Sequence, residues 1–143
     1  MITTVSFKIS DKAMADHAFA IRQKVFVDEQ MVSPEEEYDD FEESATHFLA
    51  LVDHDPAGTA RWRFTDKGVK LERFAVLANF RKQGVGAALV NTVLKEVLPL
   101  NEKIYLHSQV SAMNLYEKAG FVSEGELFYE ANIPHYKMVY KGN

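Results

Sequence analysis

The chain has 143 residues, 47% hydrophobic and 26% charged, which suits one soluble domain around a single core. No run nears the roughly 18 apolar residues of a membrane-spanning helix, and the absence of cysteine excludes a disulfide framework, a thiolate metal site and a cysteine nucleophile. A formal net charge of −5 argues against general nucleic-acid binding, which needs a basic face.

The N-terminal "MITTVSFKIS" lacks the basic region, apolar run and cleavage site of a secretory signal, so a cytoplasmic location is expected. Val5 to Ile9 alternates weakly and predicts a first strand. Ser10 or Asp11 can cap a helix from about Lys12 to Val27, with Met14, Ala18, Ile21 and Val25 as its apolar stripe. Pro34 fits the first turn of a short acidic helix. From Glu35 to Glu43, "EEEYDDFEE" holds seven carboxylates in nine residues. The pattern reads first as a solvated face; the alternative is a negative rim that attracts a cationic partner.

"HFLALVD" (His47 to Asp53) predicts a strand, and "HDPAG" a turn. In "TARWRF", Ala60, Trp62 and Phe64 share one face of a strand, with Thr59, Arg61 and Arg63 on the other, toward a cleft or toward water. "VKLERFAVL" (Val69 to Leu77) turns apolar in both phases, as a strand buried on two faces does. Val85, Leu89, Val90, Val93, Leu94 and Val97 form one broad helical face that Pro99 ends. "KIYLHSQV" predicts a strand. Ser111 is placed to cap a helix running to Ala119, Gly120 to stop it, and two strands follow around Phe121–Tyr129 and Tyr136–Lys141. No repeat or linker interrupts the pattern, so a single α/β domain over residues 1–143, with helices flanking a mixed central sheet, is expected.

The stretch "FRKQGVGAAL" (Phe80 to Leu89) sets Arg81, Lys82 and Gln83 before Gly84 and Gly86 at a helix start. The spacing is neither that of a P-loop nor that of a dinucleotide fingerprint, since Leu89 stands at the third glycine position of the latter. The amides from Gln83 through Val85 and Gly86 to Ala87 are free donors where the helix dipole favours an anion, which suits a phosphate.

"LERFAVLANFRKQGVGAALV" and the later "SAMNLYEKAGF" resemble the coenzyme A-binding core of the GCN5-related N-acetyltransferase (GNAT) superfamily. "IRQKVFVDEQ", "GTAR" and "IPHYKM" resemble its ElaA-like branch. The resemblance implies a splayed strand pair that opens an acyl-CoA cleft, and acetyl-CoA as acyl donor. It implies a pyrophosphate at the amides after Arg81, a pantetheine arm along the backbone of Phe74, Ala75 and Val76, a cofactor contact from Gln109, and an oxyanion donor at the Val76 amide. It implies Tyr116 as the acid that protonates the leaving sulfur. Phe26, Glu29 and Gln30 fall in the segment that forms the acceptor side in similar proteins.

With no cysteine for a thioester intermediate, direct transfer to a primary amine of a small molecule or peptide in a ternary complex is the simplest route. Glu72, in phase with Phe74 and Val76, is the candidate base if burial raises its pKa; a surface ion pair with Arg73 or Lys70 is the alternative. His107, His135 and Arg61 are candidate acceptor-binding residues, the histidines being titratable near neutral pH. The five histidines lack metal-site spacing, and no metal is expected. A non-catalytic acyl-CoA sensor or delivery module is the other class of function, and a homodimer is compatible with either.

Overall fold

The structure, a computed structural model, describes residues 1–142. Its strands are β1 (Ile2–Phe7), β2 (Thr46–Val52), β3 (Asp55–Thr65), β4 (Gly68–Val76), β5 (Ile104–Gln109), β6 (Phe121–Glu130) and β7 (Ile133–Tyr140). They form one sheet in the order β1-β2-β3-β4-β5-β7-β6, antiparallel throughout except for β4 beside β5. The helices are α1 (Lys12–Arg22), α2 (Pro34–Glu37), α3 (Val85–Val97) and α4 (Met113–Ala119). Among the described residues, no helix is long and apolar enough to cross a membrane.

Alternation along the strands builds two cores from one sheet. Phe48 and Ala50 of β2 meet the apolar face of α3, where Leu89, Val90 and Val93 are wholly buried. Their neighbours Leu49 and Leu51 face the other way, toward Ala15, Ala18 and Ile21 of α1. Asp11 caps α1 by accepting the Met14 N–H, and the stripe predicted for this helix is the side it buries.

Close approach of α3 to the sheet depends on Gly58. A Cβ there would lie 2.9 Å from the Ala75 carbonyl oxygen and 3.0 Å from Val85 Cγ1. Gly58→Ala is therefore expected to destabilise by about 1–3 kcal/mol, the usual cost of overpacking a dense core. Denaturant melts will measure it.

Several local expectations are corrected. The first helix does not stay α-helical to Val27: from Gln23 to Glu29 it widens to a π-helix. "DPAG" is strand, because only Asp53 and His54 turn, both at positive φ. Ser111 caps nothing; it lies inside a 3₁₀ turn, Val110–Ala112, that feeds α4. Phe64 leaves the core at the exposed end of β3 and meets Trp62 edge-on. Gly120 does stop α4, at φ 107°.

Candidate functional site

The site begins where two parallel strands part. β4 pairs with β5 only from Val69 to Leu71, opposite Ile104 to Leu106. The cause is a bulge in β4. Glu72 pairs with Arg61 and Ala75 with Thr59, so Arg73 and Phe74 stand against Ala60 alone. Arg73 takes up the extra residue at φ 60°, a costly conformation held by its guanidinium bonds to Asp39 (3.1 Å) and to the Glu36 carbonyl (3.3 Å). The added twist carries the rest of β4 away from β5 and opens a cleft of about 850 Å³.

The bulge also breaks the phase read from the sequence. Before it, Val69 and Leu71 face α3; after it, Phe74 and Val76 do. Glu72 and Phe74 thus face opposite sides of the sheet, not one side as expected.

Along the open edge, Leu77 N–H donates to the Ala57 carbonyl (2.9 Å), so alternation turns the N–H and C=O of Val76 toward the cleft. The Arg81 Nε–H donates to that carbonyl at 3.0 Å, and its Nη2 donates to both oxygens of Glu29 at 2.8 and 2.9 Å. This cation is therefore committed to a carboxylate rather than free beside the turn. Glu29 sits on the π-helix, a distortion frequent at functional sites. Gln30, just after it, accepts from Gln109 Nε2 at the end of β5 (2.8 Å). The π segment thus ties both lips of the cleft and lays Phe26 on its wall.

Beyond the lip, Lys82, Gln83 and Gly84 are exposed, with Gly84 at φ 87°. The first bond of α3 runs from Ala88 N–H to the Gly84 carbonyl, which leaves the amides of Val85, Gly86 and Ala87 ahead of it without helical partners. The Val85 side chain is buried, so only its amide faces outward. Gly86 has a packing reason of its own: a Cβ there would sit 3.3 Å from Leu115 Cδ2 on α4. These turn residues do not line the main cleft, whereas Arg81 just before them does.

The acidic run divides: Glu35, Glu36, Asp40 and Glu43 meet solvent, with Glu36 also on the cleft wall, while the rest turn inward. Asp39, Glu42 and the buried Glu37 fold onto buried arginines. Arg22 binds Glu37 (2.7 Å) and Glu42 (2.8 Å). Arg61 binds Asp39 (2.7 Å), Glu42 (2.8 Å) and Glu72 (2.9 Å). Arg61 is completely buried under the site, not in the cleft, which overturns its expected acceptor contact. Strand alternation put it on this face, and the folded acidic segment sealed it from water.

Glu72 also departs from expectation. Burial pushes its carboxyl up, but the charges of Arg61, Lys70 and Arg63 and the Arg63 hydrogen bond outweigh that and hold it below its ordinary value. Its Oε1 accepts from Arg61 (3.0 Å) and Arg63 (2.6 Å), and Lys70 Nζ is 3.6 Å from Oε2. A carboxylate gripped by these cations is a poor proton acceptor.

Tyr116 lines the cleft from α4, edge-on to Phe74 at 5.6 Å, and burial pushes its hydroxyl pKa up, so it keeps its proton. His107 and His135 reach the cleft from β5 and β7 and converge on Glu130, which the sequence reading missed. Glu130 precedes the tight Ala131–Asn132 turn, where both residues have positive φ, as in a two-residue hairpin loop. Asn132 was the available signal for that hairpin. Among the described residues, no group of three or more His, Cys, Asp or Glu is arranged to hold a metal ion.

A parted parallel pair, a bulged strand edge and unpaired helix amides beyond its lip make up the candidate site. The acetyltransferase (GNAT) domain pattern matches residues 9–141. The chain belongs to the GNAT acetyltransferase family. The Bacillus subtilis N-acetyltransferase YjcF is 38% identical over 125 residues, spanning 85% of this chain and 89% of YjcF. Escherichia coli ElaA has the same fold, with a TM-score of 0.88 at 24% identity over 99% of this chain and 100% of ElaA. A GNAT acetyltransferase from Elizabethkingia anophelis with acetyl-CoA bound also shares the fold, with a TM-score of 0.67 at 18% identity over 96% and 94% of the two chains. As a GNAT enzyme, the protein is an acetyltransferase, and its seven-stranded mixed sheet is the fold the resemblance implied.

Proposed function

We propose that the protein transfers an acetyl group from acetyl-CoA to a primary amine of a small molecule or peptide, directly and in a ternary complex. The observation that carries this reading is the unpaired edge of β4, with the Val76 N–H turned into a cleft that Tyr116 also lines. An extended pantetheine arm suits a bare strand edge, where main-chain hydrogen bonds supply affinity. The amides of Val85, Gly86 and Ala87 suit its pyrophosphate.

In this reading, the Val76 N–H stabilises negative charge that develops on the thioester oxygen. Tyr116, which retains its proton, delivers it to the departing sulfur. The Arg81 guanidinium gives up its bond to the Val76 carbonyl when a donor pairs along the edge. No cysteine exists to form a thioester intermediate on the enzyme, so the acceptor nitrogen attacks the donor itself. Acceptor and donor then occupy the cleft together.

The test is thiol release from acetyl-CoA across a panel of amines, polyamines, aminoglycosides, amino acids and peptides, with calorimetry of acetyl-CoA alone beside it. Acceptor-dependent release is the expected result. Tight binding with no release anywhere in the panel would instead favour an acyl-CoA-binding module, the reading that the neutralised Glu72 supports. No binding would remove both.

A further inference from the structure

Acetyl transfer to an ordinary primary amine requires a base, because such amines are almost wholly ammonium ions near neutral pH. Glu72 is engaged by cations, which leaves the groups around Glu130. The β5 residues Ile104 and Leu106 pack into the α3 core, so His107, between Leu106 and Ser108, projects from the opposite face of the sheet into the cleft. Its Nδ1 is 2.7 Å from Glu130 Oε1, and its ring meets Phe128 edge-on at 5.0 Å. A carboxylate facing Nδ1 fixes the proton on that nitrogen and leaves the Nε2 lone pair available. Nε2 has no hydrogen-bond partner among the described residues, and the side chain is 25% exposed.

His135 is placed differently. Its Nδ1–H donates to the Ile133 carbonyl at 2.7 Å, its ring stacks on Phe128, and its Nε2 stands 4.0 Å from Glu130 Oε2. It is buried and fixed, a second wall for Glu130. The His107 hydrogen bond chiefly, with the charge of Lys70, holds the Glu130 carboxyl below its ordinary value against the push of burial, so it stays ionised.

We propose that His107 is the catalytic proton acceptor for a substrate amine that enters as its ammonium ion, and that Glu130 is the positioning residue that orients the imidazole; this rests on the transferase reading above. The ammonium gives one proton to Nε2, and the freed lone pair forms the C–N bond as the C–S bond breaks. As the sulfur takes the Tyr116 proton, the nitrogen's second proton passes to the phenolate left behind, which restores Tyr116. The imidazolium then sheds its proton to water across its exposed edge. Free thiol, amide and one proton are the net products.

The charged and titratable groups around His107 are Lys70 and Glu72 from β4, Tyr105 from β5, Glu130 from β6, and His135 and Lys137 from β7, Lys137 being its register partner. Lys137 leans over the Tyr105 ring (5.4 Å) and toward Glu124 (3.5 Å).

The test uses the full chain with acetyl-CoA and whichever panel amine gives the fastest thiol release. His107→Ala is expected to lower kcat by about 100-fold or more, with acetyl-CoA affinity unchanged by calorimetry and part of the rate restored by free imidazole. Glu130→Gln keeps the shape but offers an amide where Nδ1–H met a carboxylate, so the imidazole is no longer fixed with Nε2 as its free acceptor. The variant's kcat should fall about 10-fold or more with acetyl-CoA affinity unchanged, and Glu130→Asp should restore part of the rate. A merely structural role would lower acetyl-CoA affinity or melting temperature together with the rate, without rescue by imidazole or by Glu130→Asp, and would overturn the assignment. Unaffected variants beside an active wild type would overturn it alone. A wild type with no acceptor-dependent release would remove the transferase reading and this inference together.

Discussion

Arg61→Met is expected to lower the free energy of unfolding by about 3–5 kcal/mol, because it removes the one buried cation that Asp39, Glu42 and Glu72 all bind. Arg61 is fully buried and bidentate on Asp39, at 3.0 and 2.7 Å, with further bonds to Glu42 (2.8 Å) and Glu72 (3.0 Å). Methionine fills much of the space but supplies none of these bonds. The loss also loosens the segment around Asp39, which secures the strained Arg73 of the bulge. Urea melts at neutral pH give the first check, and a loss under 1 kcal/mol would contradict the account.

Acid provides a second check with a defined sign. In Asp39, burial opposes ionisation, but the Arg61 bonds win and bring its pKa to about 2. Glu42 and Glu72 are likewise held below their ordinary values, against the pull of burial, by the arginines they bind. These folded-state values lie below the unfolded ones, so their stabilisation is complete only above a pH of about 5. It drains as pH falls toward 2. Glu37 runs the other way, because burial pushes its carboxyl up and its contribution fades as pH rises. Three groups oppose one, so wild type should lose stability on acidification through this range. Arg61→Met should show a shallower acid limb.

Tyr116→Phe is the second large effect expected, on turnover instead of stability. A fall in kcat of about 10²-fold or more follows if the hydroxyl is the acid for the leaving thiolate. The substitution keeps the ring, with its edge contacts to Phe74 at 5.6 Å and to Phe121 at 6.1 Å. The hydroxyl has no hydrogen-bond partner among the described residues, so its removal strands no protein group. Acetyl-CoA affinity and melting temperature should therefore stay near wild type. Steady-state kinetics with calorimetry separate the two outcomes: unchanged kcat would make Tyr116 a packing residue.

What the sequence determined by itself was local or periodic. The broad apolar face of α3 could be read because a helix buries one side at a fixed spacing, and the glycine turn because a helix start leaves amides unpaired whatever packs around it. The family resemblance rested on those same short segments and carried the fold with it.

Tertiary structure decided the charges. Whether "EEEYDDFEE" met water or arginine depended on Arg22 and Arg61, which are distant in sequence. One residue of bulge at Arg73 moved Glu72 out of phase with Phe74, and no alternation rule anticipates an inserted residue. Glu130 acquired its meaning only when a hairpin returned it to His107, 23 residues earlier in the chain. A carboxylate's role follows from what neutralises it, and in this protein Arg22 comes from α1 and Arg61 from β3.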